Sequence, residues 1–142
     1  MSYINIFVHA VCGTKDREPS LEASKRLVLF DHIKENAIAK RIQIDTLNGY
    51  VDHVHCLLKL ESGQDIRTLM QLIKGESSYW ANKHGLFGAR FQWAEDYYAG
   101  SVSVSGLSKV RAYINSQEQH HSKVTFQEEY EALISDQGAI RG

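Results

Sequence analysis

The chain has 142 residues, of which 43% are hydrophobic and 23% charged, and its formal net charge is −1. This size and composition predict a single domain over residues 1–142 with its own core, and they exclude a disordered segment. No apolar run approaches the roughly 18 residues that a membrane helix requires, and the start MSYINIF lacks the features of a signal peptide, so we expect a cytoplasmic protein.

The charges are unevenly distributed along the chain. Residues 1–123 hold 15 Lys and Arg against 13 Asp and Glu, whereas residues 124–142 hold one Arg against four acids. The net charge alone favours no class of partner, but the body of the chain could carry a local basic surface. Cys12 and Cys56 both lie in apolar runs, which predicts buried thiols in a reducing compartment and no disulfide framework.

The chain begins with a predicted strand and helix. Residues 3–14 alternate in hydrophobicity as a strand does. Ser20 or Ser24 could cap the helix that follows, which extends to about Lys40. Its apolar residues recur at helical spacing at Leu27, Phe30, Ile33, Ala37 and Ile38.

Two further strands and a second helix come next. Residues 42–61 predict the strands, and Asn48-Gly49 is a possible turn between them. Asp65 is a good N-cap for the second helix, and Gly85 can end it. The stripe of this helix consists of Ile66, Leu69, Ile73, Ser77, Trp80 and His84.

The remainder of the chain predicts one strand and two helices. Residues 91–104 are rich in aromatic and β-branched residues, which favours a fourth strand. Ser105 could cap a third helix from Gly106 to Ser122, and TFQEEYEALI suggests a short terminal helix. The order β-α-β-β-α-β, followed by a helix, predicts an α+β fold of the ferredoxin-like type: an antiparallel sheet with two helices on one face and the third helix near the other.

Two histidines one residue apart interrupt the third strand. Because side chains alternate along a strand, Val54 and Cys56 share the face that meets the helices, whereas His53 and His55 point from the uncovered face. Two imidazoles in this arrangement can bind one metal ion. Two such histidines can also be ordinary, partly exposed strand residues that bind no metal. A third ligand is therefore needed to favour a metal site.

The third helix offers such a ligand. Tyr113 and Gln117 are four residues apart and project together from one side, with His120 nearly in line. If this helix crosses the open sheet face, Gln117 can offer its carbonyl oxygen to an ion held by His53 and His55, and Tyr113 can lie beside the ion as a nucleophile. A helical tyrosine is, however, more often an amphipathic surface residue.

The histidine pair and the tyrosine segment, in this order, resemble the single-tyrosine transposases of the HUH endonuclease superfamily, of the insertion-sequence and REP-associated type. The matching motifs are HVH at 53–55 and YINSQEQHH at 113–121. The resemblance extends over residues 3–134 and includes VHAVCGTKDREP at 8–19, IKGESS at 73–78 and FQWAEDYYAGSVS at 91–103. It identifies residues 1–142 as one tyrosine transposase domain.

The resemblance implies a metal-assisted strand transferase. His53, His55 and Gln117 would bind Mg²⁺ or Mn²⁺, and Tyr113 would attack a phosphodiester of single-stranded DNA to form a 5′-phosphotyrosine linkage and a free 3′-OH. The DNA would carry hairpin ends. The family also implies a homodimer whose sites combine the histidine pair of one subunit with the tyrosine helix of the other.

The residues that would bind the DNA are less sharply indicated. Basic residues are candidates for phosphate contacts, although each taken singly is more often a solvated surface charge, and Lys74 is favoured because it lies in the IKGESS match. His9, His120 and His121 could belong to the site or be structural. The candidates for DNA contact are Lys15, Arg17, Lys74 and Arg111, with Trp93, Tyr97 and Tyr98 as possible stacking residues.

Two alternatives stay open. The first is a domesticated or inactive relative that binds hairpin single-stranded DNA without mobilising it, because such a protein shares the same catalytic residues. The second is an RNA-binding or metal-binding module of the same fold. The second alternative is disfavoured because RNA-binding domains of this fold carry aromatic residues on the central strands, where this chain has histidines.

Overall fold

The computed structural model describes residues 2–121 and 123–137. The ends of the predicted domain, at residues 1 and 142, and the predicted end of the third helix at Ser122 lie outside these residues. Within them, every helix is too short or too polar to cross a membrane. The elements are β1 (Ile6–Thr14), α1 (Ala23–Ala39), β2 (Gln43–Tyr50), β3 (His53–Leu60), α2 (Ile66–Lys83), β4 (Trp93–Val102), α3 (Leu107–Asn115), α4 (Gln117–His120) and α5 (Phe126–Gln137).

The four strands form one antiparallel sheet in the order β2-β3-β1-β4, which confirms the predicted ferredoxin-like arrangement. β1 and β3 are the central pair, with Val11 opposite His55 and Cys12 opposite Val54. β4 pairs with the other edge of β1, and the register shifts between Cys12 and Thr14. β1 and β3 are buried along most of their length, so helices cover both of their faces.

α1 and α2 cover one face and enclose the larger core. Val54, Cys56 and Leu58 of β3 point into this core, as their alternation predicted. Both cysteines are buried without a disulfide, and burial raises the pKa of each thiol to about 12, so both thiols stay protonated. α2 also begins as predicted, because the Asp65 carboxylate accepts a hydrogen bond from the Thr68 backbone N–H.

The opposite face carries His53 and His55, as predicted, but it is not uncovered. α3 packs there through Leu107 and Ile114, and Phe126 of α5 stacks on the His53 ring. Both histidine side chains are consequently 0% exposed. The expectation of exposed imidazoles is therefore wrong: three helices after β4, rather than one, lie over this face.

The turn between β2 and β3 differs from its predicted place. Asn48 and Gly49 lie inside β2, and the turn falls at Val51 and Asp52. A Cβ atom on Gly49 would overlap the His53 carbonyl oxygen. Glycine is needed here because the two strands approach closely, not because of a turn.

The first helix also differs in its start and its buried side. Its N-cap is Glu22, without a side-chain capping bond, so neither predicted serine cap is present. Leu27 and Ile38 are 62% and 78% exposed, whereas Leu29 is fully buried. The apolar residues of α1 surround the helix on more than one side, which is why their spacing alone did not identify the core face.

The predicted third helix is interrupted after Asn115. Ser116 leaves helical geometry, and its hydroxyl donates a hydrogen bond to the Tyr113 carbonyl oxygen at 3.1 Å, in competition with the helix backbone. α4 then begins at Gln117. At the other end, Gly106 rather than Ser105 is the N-cap residue.

We expect Gly49→Ala to destabilise the protein by about 1–3 kcal/mol, because the added methyl group would meet the His53 backbone. Gly75→Ala is the matched control. Gly75 lies inside α2, and no atom lies within 4 Å of the place that an added methyl group would take, so the same change there should stabilise the helix by about 1 kcal/mol. Urea unfolding of the two variants measures both effects. Equal stabilities would contradict the close approach of β2 to β3.

Candidate active site

Three histidines from the two central strands form the floor of the site. His9 of β1 and His55 of β3 are stacked, with 5.0 Å between ring centroids and 2.8 Å between His9 Nε2 and His55 Nδ1. His53 lies on the other side of His55, with 5.1 Å between their ring centroids. The Asp52 carboxylate lies 2.8 Å from His53 Nδ1. These contacts leave the Nε2 atoms of His53 and His55 directed at the helices above.

The segment with the predicted nucleophile and third ligand lies over this floor. Gln117 Oε1 is 2.9 Å from His53 Nε2. The Tyr113 ring meets the rings of His55 and His9 edge-on, at centroid distances of 5.5 and 6.1 Å. The structure thus brings the predicted residues Tyr113, His53, His55 and Gln117 together, within one chain and despite the break after Asn115.

The centre of the cluster is a residue that the sequence reasoning missed, Glu129 of α5. Its Oε1 atom lies 3.1 Å from His55 Nε2 and 3.3 Å from His53 Nε2. Its Oε2 atom accepts hydrogen bonds from the Tyr113 hydroxyl and, at 3.2 Å, from Gln117 Nε2. Glu129 is only 3% exposed.

A signal for Glu129 was present in the terminal helix. Phe126 and Tyr130 are four residues apart, and Glu129 lies on the same side as both. Phe126 and Glu129 are buried, and Tyr130 is half-buried. An acidic residue on the apolar side of an amphipathic helix requires a buried partner, so this position could have been recognised as a site residue.

His120 and His121 extend the cluster on the side of α4. His121 Nε2 lies 2.9 Å from Glu129 Oε1, and the His121 ring stacks on Tyr50. His120 Nε2 lies 3.5 Å from Glu129 Oε2 and, among the described residues, has no hydrogen-bond partner. Both histidines therefore belong to the surroundings of the carboxylate.

The charges of the cluster depend on burial and on these hydrogen bonds. Burial opposes the charged form of His53, but hydrogen bonds to Asp52, Glu129 and Gln117 outweigh it and raise the pKa of His53 to about 9. Burial, with an added contribution from His53, lowers the pKa of His55. Against the effect of its own burial, the histidine contacts hold the pKa of Glu129 well below its usual range. Without a bound cation, the cluster pairs a carboxylate with a protonated His53, and a cation at His53 Nε2 would displace that proton.

The same surroundings act on Tyr113 and His9. Burial and the hydrogen bond to Glu129 raise the pKa of the Tyr113 hydroxyl, which therefore stays protonated. Burial, with a contribution from His55, lowers the pKa of His9 to about 4, so that imidazole is neutral.

The residues of the cluster fit a divalent cation. One ligand atom from each of His53, His55 and Glu129 lies within 4.8 Å of the other two, and His120, His121 and Glu129 form a second such group. Imidazole nitrogens with carboxylate and amide oxygens are donors suited to transition metals such as Mn²⁺, and the oxygens also to Mg²⁺. The unpartnered His120 Nε2 is a further donor atom beside the same carboxylate.

The predicted DNA-binding residues differ in availability. Lys15 and Arg17 are exposed on a short 3₁₀ turn after β1. Lys74 donates a hydrogen bond to the Glu95 carbonyl oxygen at 2.8 Å and lies in an open cleft between α2 and β4. Arg111 forms a two-bond ion pair with Asp45, at 2.8 Å for each bond. Its guanidinium is thus already occupied.

α5 closes the site. His53, His55 and Gln117 are each 0% exposed, and the Phe126 ring lies parallel to the His53 ring at 4.2 Å between centroids. α5 has few contacts with the rest of the fold outside this cluster and β4. Access to the histidine nitrogens therefore depends on the position of α5.

We expect Phe126→Ala to loosen α5 without unfolding the sheet. Losing this buried ring should lower the free energy of opening α5 by about 3 kcal/mol, which corresponds to roughly a hundredfold faster amide exchange in 126–137. Native-state hydrogen exchange measures this, with the amides of β1 and β3 as internal reference. Ile134→Ala, at a 50% exposed position of the same helix, should change little. Uniformly faster exchange throughout the chain would contradict a separately opening helix.

Comparisons with known proteins give one family and a fold. The family model described as "Transposase IS200 like" matches residues 2–117. A candidate transposase from Deinococcus radiodurans R1 is similar in structure, with a TM-score of 0.62, 23% identity, and coverage of 82% of this chain and 95% of that chain. A REP-associated tyrosine transposase bound to a REP hairpin is also similar in structure, with a TM-score of 0.65 and 16% identity. The match covers 87% of this chain and 73% of that chain. A comparison with curated proteins gave no match.

Proposed function

Because this chain belongs to the IS200-like transposase family, we propose that it cleaves and rejoins single-stranded DNA through a covalent link to Tyr113. The observation that carries the proposal is the convergence of four residues on one point. Tyr113 and Gln117 from the segment after β4 face His53 and His55 of β3 within a single chain. The sequence resemblance had selected the same four residues from their order alone.

The proposed reaction exchanges one phosphodiester for another. The Tyr113 oxygen attacks the phosphorus, its hydroxyl proton leaves, and the bond from phosphorus to the 3′ oxygen breaks. The products are a 5′-phosphotyrosine and a strand whose 3′ oxygen has gained a proton. The reverse reaction with another 3′-OH rejoins the DNA. Because the bond energy is kept in the phosphotyrosine, no nucleotide cofactor is required.

His53, His55 and Gln117 are proposed to hold the divalent cation, Mg²⁺ or Mn²⁺. When bound, the ion supplies Lewis acidity to a nonbridging phosphate oxygen. Asp52 orients the His53 ring, and His9 does the same for His55 through the Nε2–Nδ1 contact. These contacts fix the orientations of both rings, so that both Nε2 atoms are available to one cation.

The proposed DNA substrate is a single strand with a hairpin end, as for the structurally similar REP-associated protein, whose structure contains a REP hairpin. Lys74 is the preferred phosphate contact, because the open cleft around it also contains Lys83, Arg90 and the exposed Tyr79. Lys15 and Arg17 are exposed and stay candidates. Arg111 is a weaker one, since a phosphate must compete with Asp45.

The quaternary arrangement and the extent of the domain stay predictions. We propose that residues 1–142 form one transposase domain and that the protein forms a homodimer. Sharing of sites between subunits is not required for the four residues to meet, since one chain already places Tyr113 beside His55. Whether each site is complete in one subunit or shared between two, as the resemblance implied, stays a prediction.

The alternative function is hairpin binding without strand cleavage. The burial of His53 and His55 beneath α5 favours this alternative, because a closed site cannot reach DNA. Formation of a covalent adduct distinguishes the two functions.

We expect the protein to form a denaturant-resistant adduct with a cleavable hairpin-ended single strand, carrying the DNA on the 3′ side of the cut. Tyr113→Phe should abolish the adduct and retain hairpin binding, because only the attacking oxygen is removed. Tyr3→Phe, at an 87% exposed position, is the matched control and should form the adduct normally. Peptide mapping of an adduct to Tyr97 or Tyr98 would overturn the assignment, and hairpin binding without any adduct would support the alternative function.

We further expect cleavage to require a divalent cation. EDTA should stop it, and His55→Ala should lower the cleavage rate roughly a hundredfold or more, because several kcal/mol of transition-state stabilisation are lost. Since His55 is fully buried, urea unfolding must show that the variant still folds. His32→Ala, at a histidine that pairs with Glu76 beside α2, is the control and should cleave normally. Full activity in EDTA would exclude the metal.

A further inference from the structure

Glu129 lies outside the part of the chain that the family model matches, which ends at residue 117. It nevertheless contacts every residue of the proposed catalytic set. Its two carboxylate oxygens divide these contacts, with Oε1 facing His53 and His55 and Oε2 facing Tyr113 and Gln117. A buried carboxylate in this position either contributes to the site or competes for it.

The oxygen that faces the histidines has the spacing of a metal ligand. Adjacent donors around an octahedral ion with bonds of about 2.1 Å are separated by about 3.0 Å. Glu129 Oε1 is 3.1 Å from His55 Nε2 and 3.3 Å from His53 Nε2, and Gln117 Oε1 is 2.9 Å from His53 Nε2. Small shifts would therefore allow one ion to bind all four atoms.

The other oxygen occupies the place of a substrate atom. In the proposed reaction, an anionic phosphate oxygen must lie at the metal while the phosphorus lies beside the Tyr113 hydroxyl. Glu129 already presents one anionic oxygen to the metal-ligand atoms and the other to Tyr113. The carboxylate therefore resembles the phosphodiester in charge and in its two contacts.

Accordingly, we infer that Glu129 is an internal anionic ligand of the resting metal site, which the phosphodiester of the DNA replaces when α5 opens. This inference rests on the proposed function. It explains why α5 closes the site: α5 supplies the ligand that completes it, and Phe126 holds the helix over His53. Opening of α5 then exchanges one anion for another around the same ion.

Metal affinity, measured without DNA, is the first test. Titration calorimetry with Mn²⁺ should show at least about tenfold weaker binding for Glu129→Gln than for the unchanged protein. Glu129→Asp keeps the charge but moves the carboxylate oxygens back from the cluster. Its affinity for Mn²⁺ should lie between those of the unchanged protein and the Glu129→Gln variant. Glu128→Gln is the matched control, because Glu128 is an exposed neighbour whose carboxylate bonds to Thr125. Equal Mn²⁺ affinity of the unchanged protein and the Glu129→Gln variant would exclude Glu129 as a ligand.

Binding of DNA at saturating Mn²⁺ is the second test, with Tyr113→Phe in every sample to prevent cleavage. Removing the competing carboxylate should make the Glu129→Gln protein bind a single strand that spans the cleavage site several-fold more tightly. Weaker binding would overturn the exchange of carboxylate for phosphate. If the unchanged protein forms no adduct with any DNA, the proposed function fails, but the metal titration still decides whether Glu129 is a ligand.

Discussion

The two-residue period of β3 is the constraint on which the site depends. β3 lies between β2 and β1, and its side chains point alternately into two layers that helices cover. Val54 and Cys56 fill the core beneath α1 and α2, which forces His53 and His55 into the layer beneath the later helices. A shift of one residue in the pairing would bury both imidazoles in the apolar core instead. The sheet register therefore fixes the position of the histidine nitrogens that are proposed to bind metal.

Burying polar groups in this second layer determines how the later helices pack. An ionised carboxylate loses several kcal/mol of hydration when buried, and it is tolerated only with compensating partners. Glu129 obtains them from the histidines of β3, from His121 after α4 and from Tyr113 of α3. Removal of one partner would leave buried charge unpaired. The cluster consequently couples three helices to the sheet through one side chain, and apolar contacts such as that of Phe126 add to it.

The sequence predicted the strand order, the start of α2 and the four residues that meet in the site. These features depend on local rules: alternation at β3, an Asp N-cap at residue 65, and the spacing of Tyr113 and Gln117. It did not predict the burial of the histidines or the role of Glu129, because both depend on where α5 packs. The acidic residue on the apolar side of this helix indicated a buried partner, but not which residues would provide it. The interruption at Ser116 was also not predicted. Serine hydroxyls donate the same kind of hydrogen bond to the backbone in many uninterrupted helices, so a serine does not by itself indicate a break.

The boundary of the family match separates two parts of the site with different physical roles. Residues 2–117 contain the histidine pair on β3, the tyrosine on α3 and the glutamine at the start of α4. His120, His121 and Glu129 come after this boundary, on α4, α5 and the turn between them. A site whose chemistry required the later residues would tie strand cleavage to one placement of α5. A site in which α5 only completes the resting state can keep its proposed nucleophile and metal ligands on β3, α3 and α4 and use the terminal helix to control access. The full burial of the histidines beneath a helix with few other contacts favours the second arrangement.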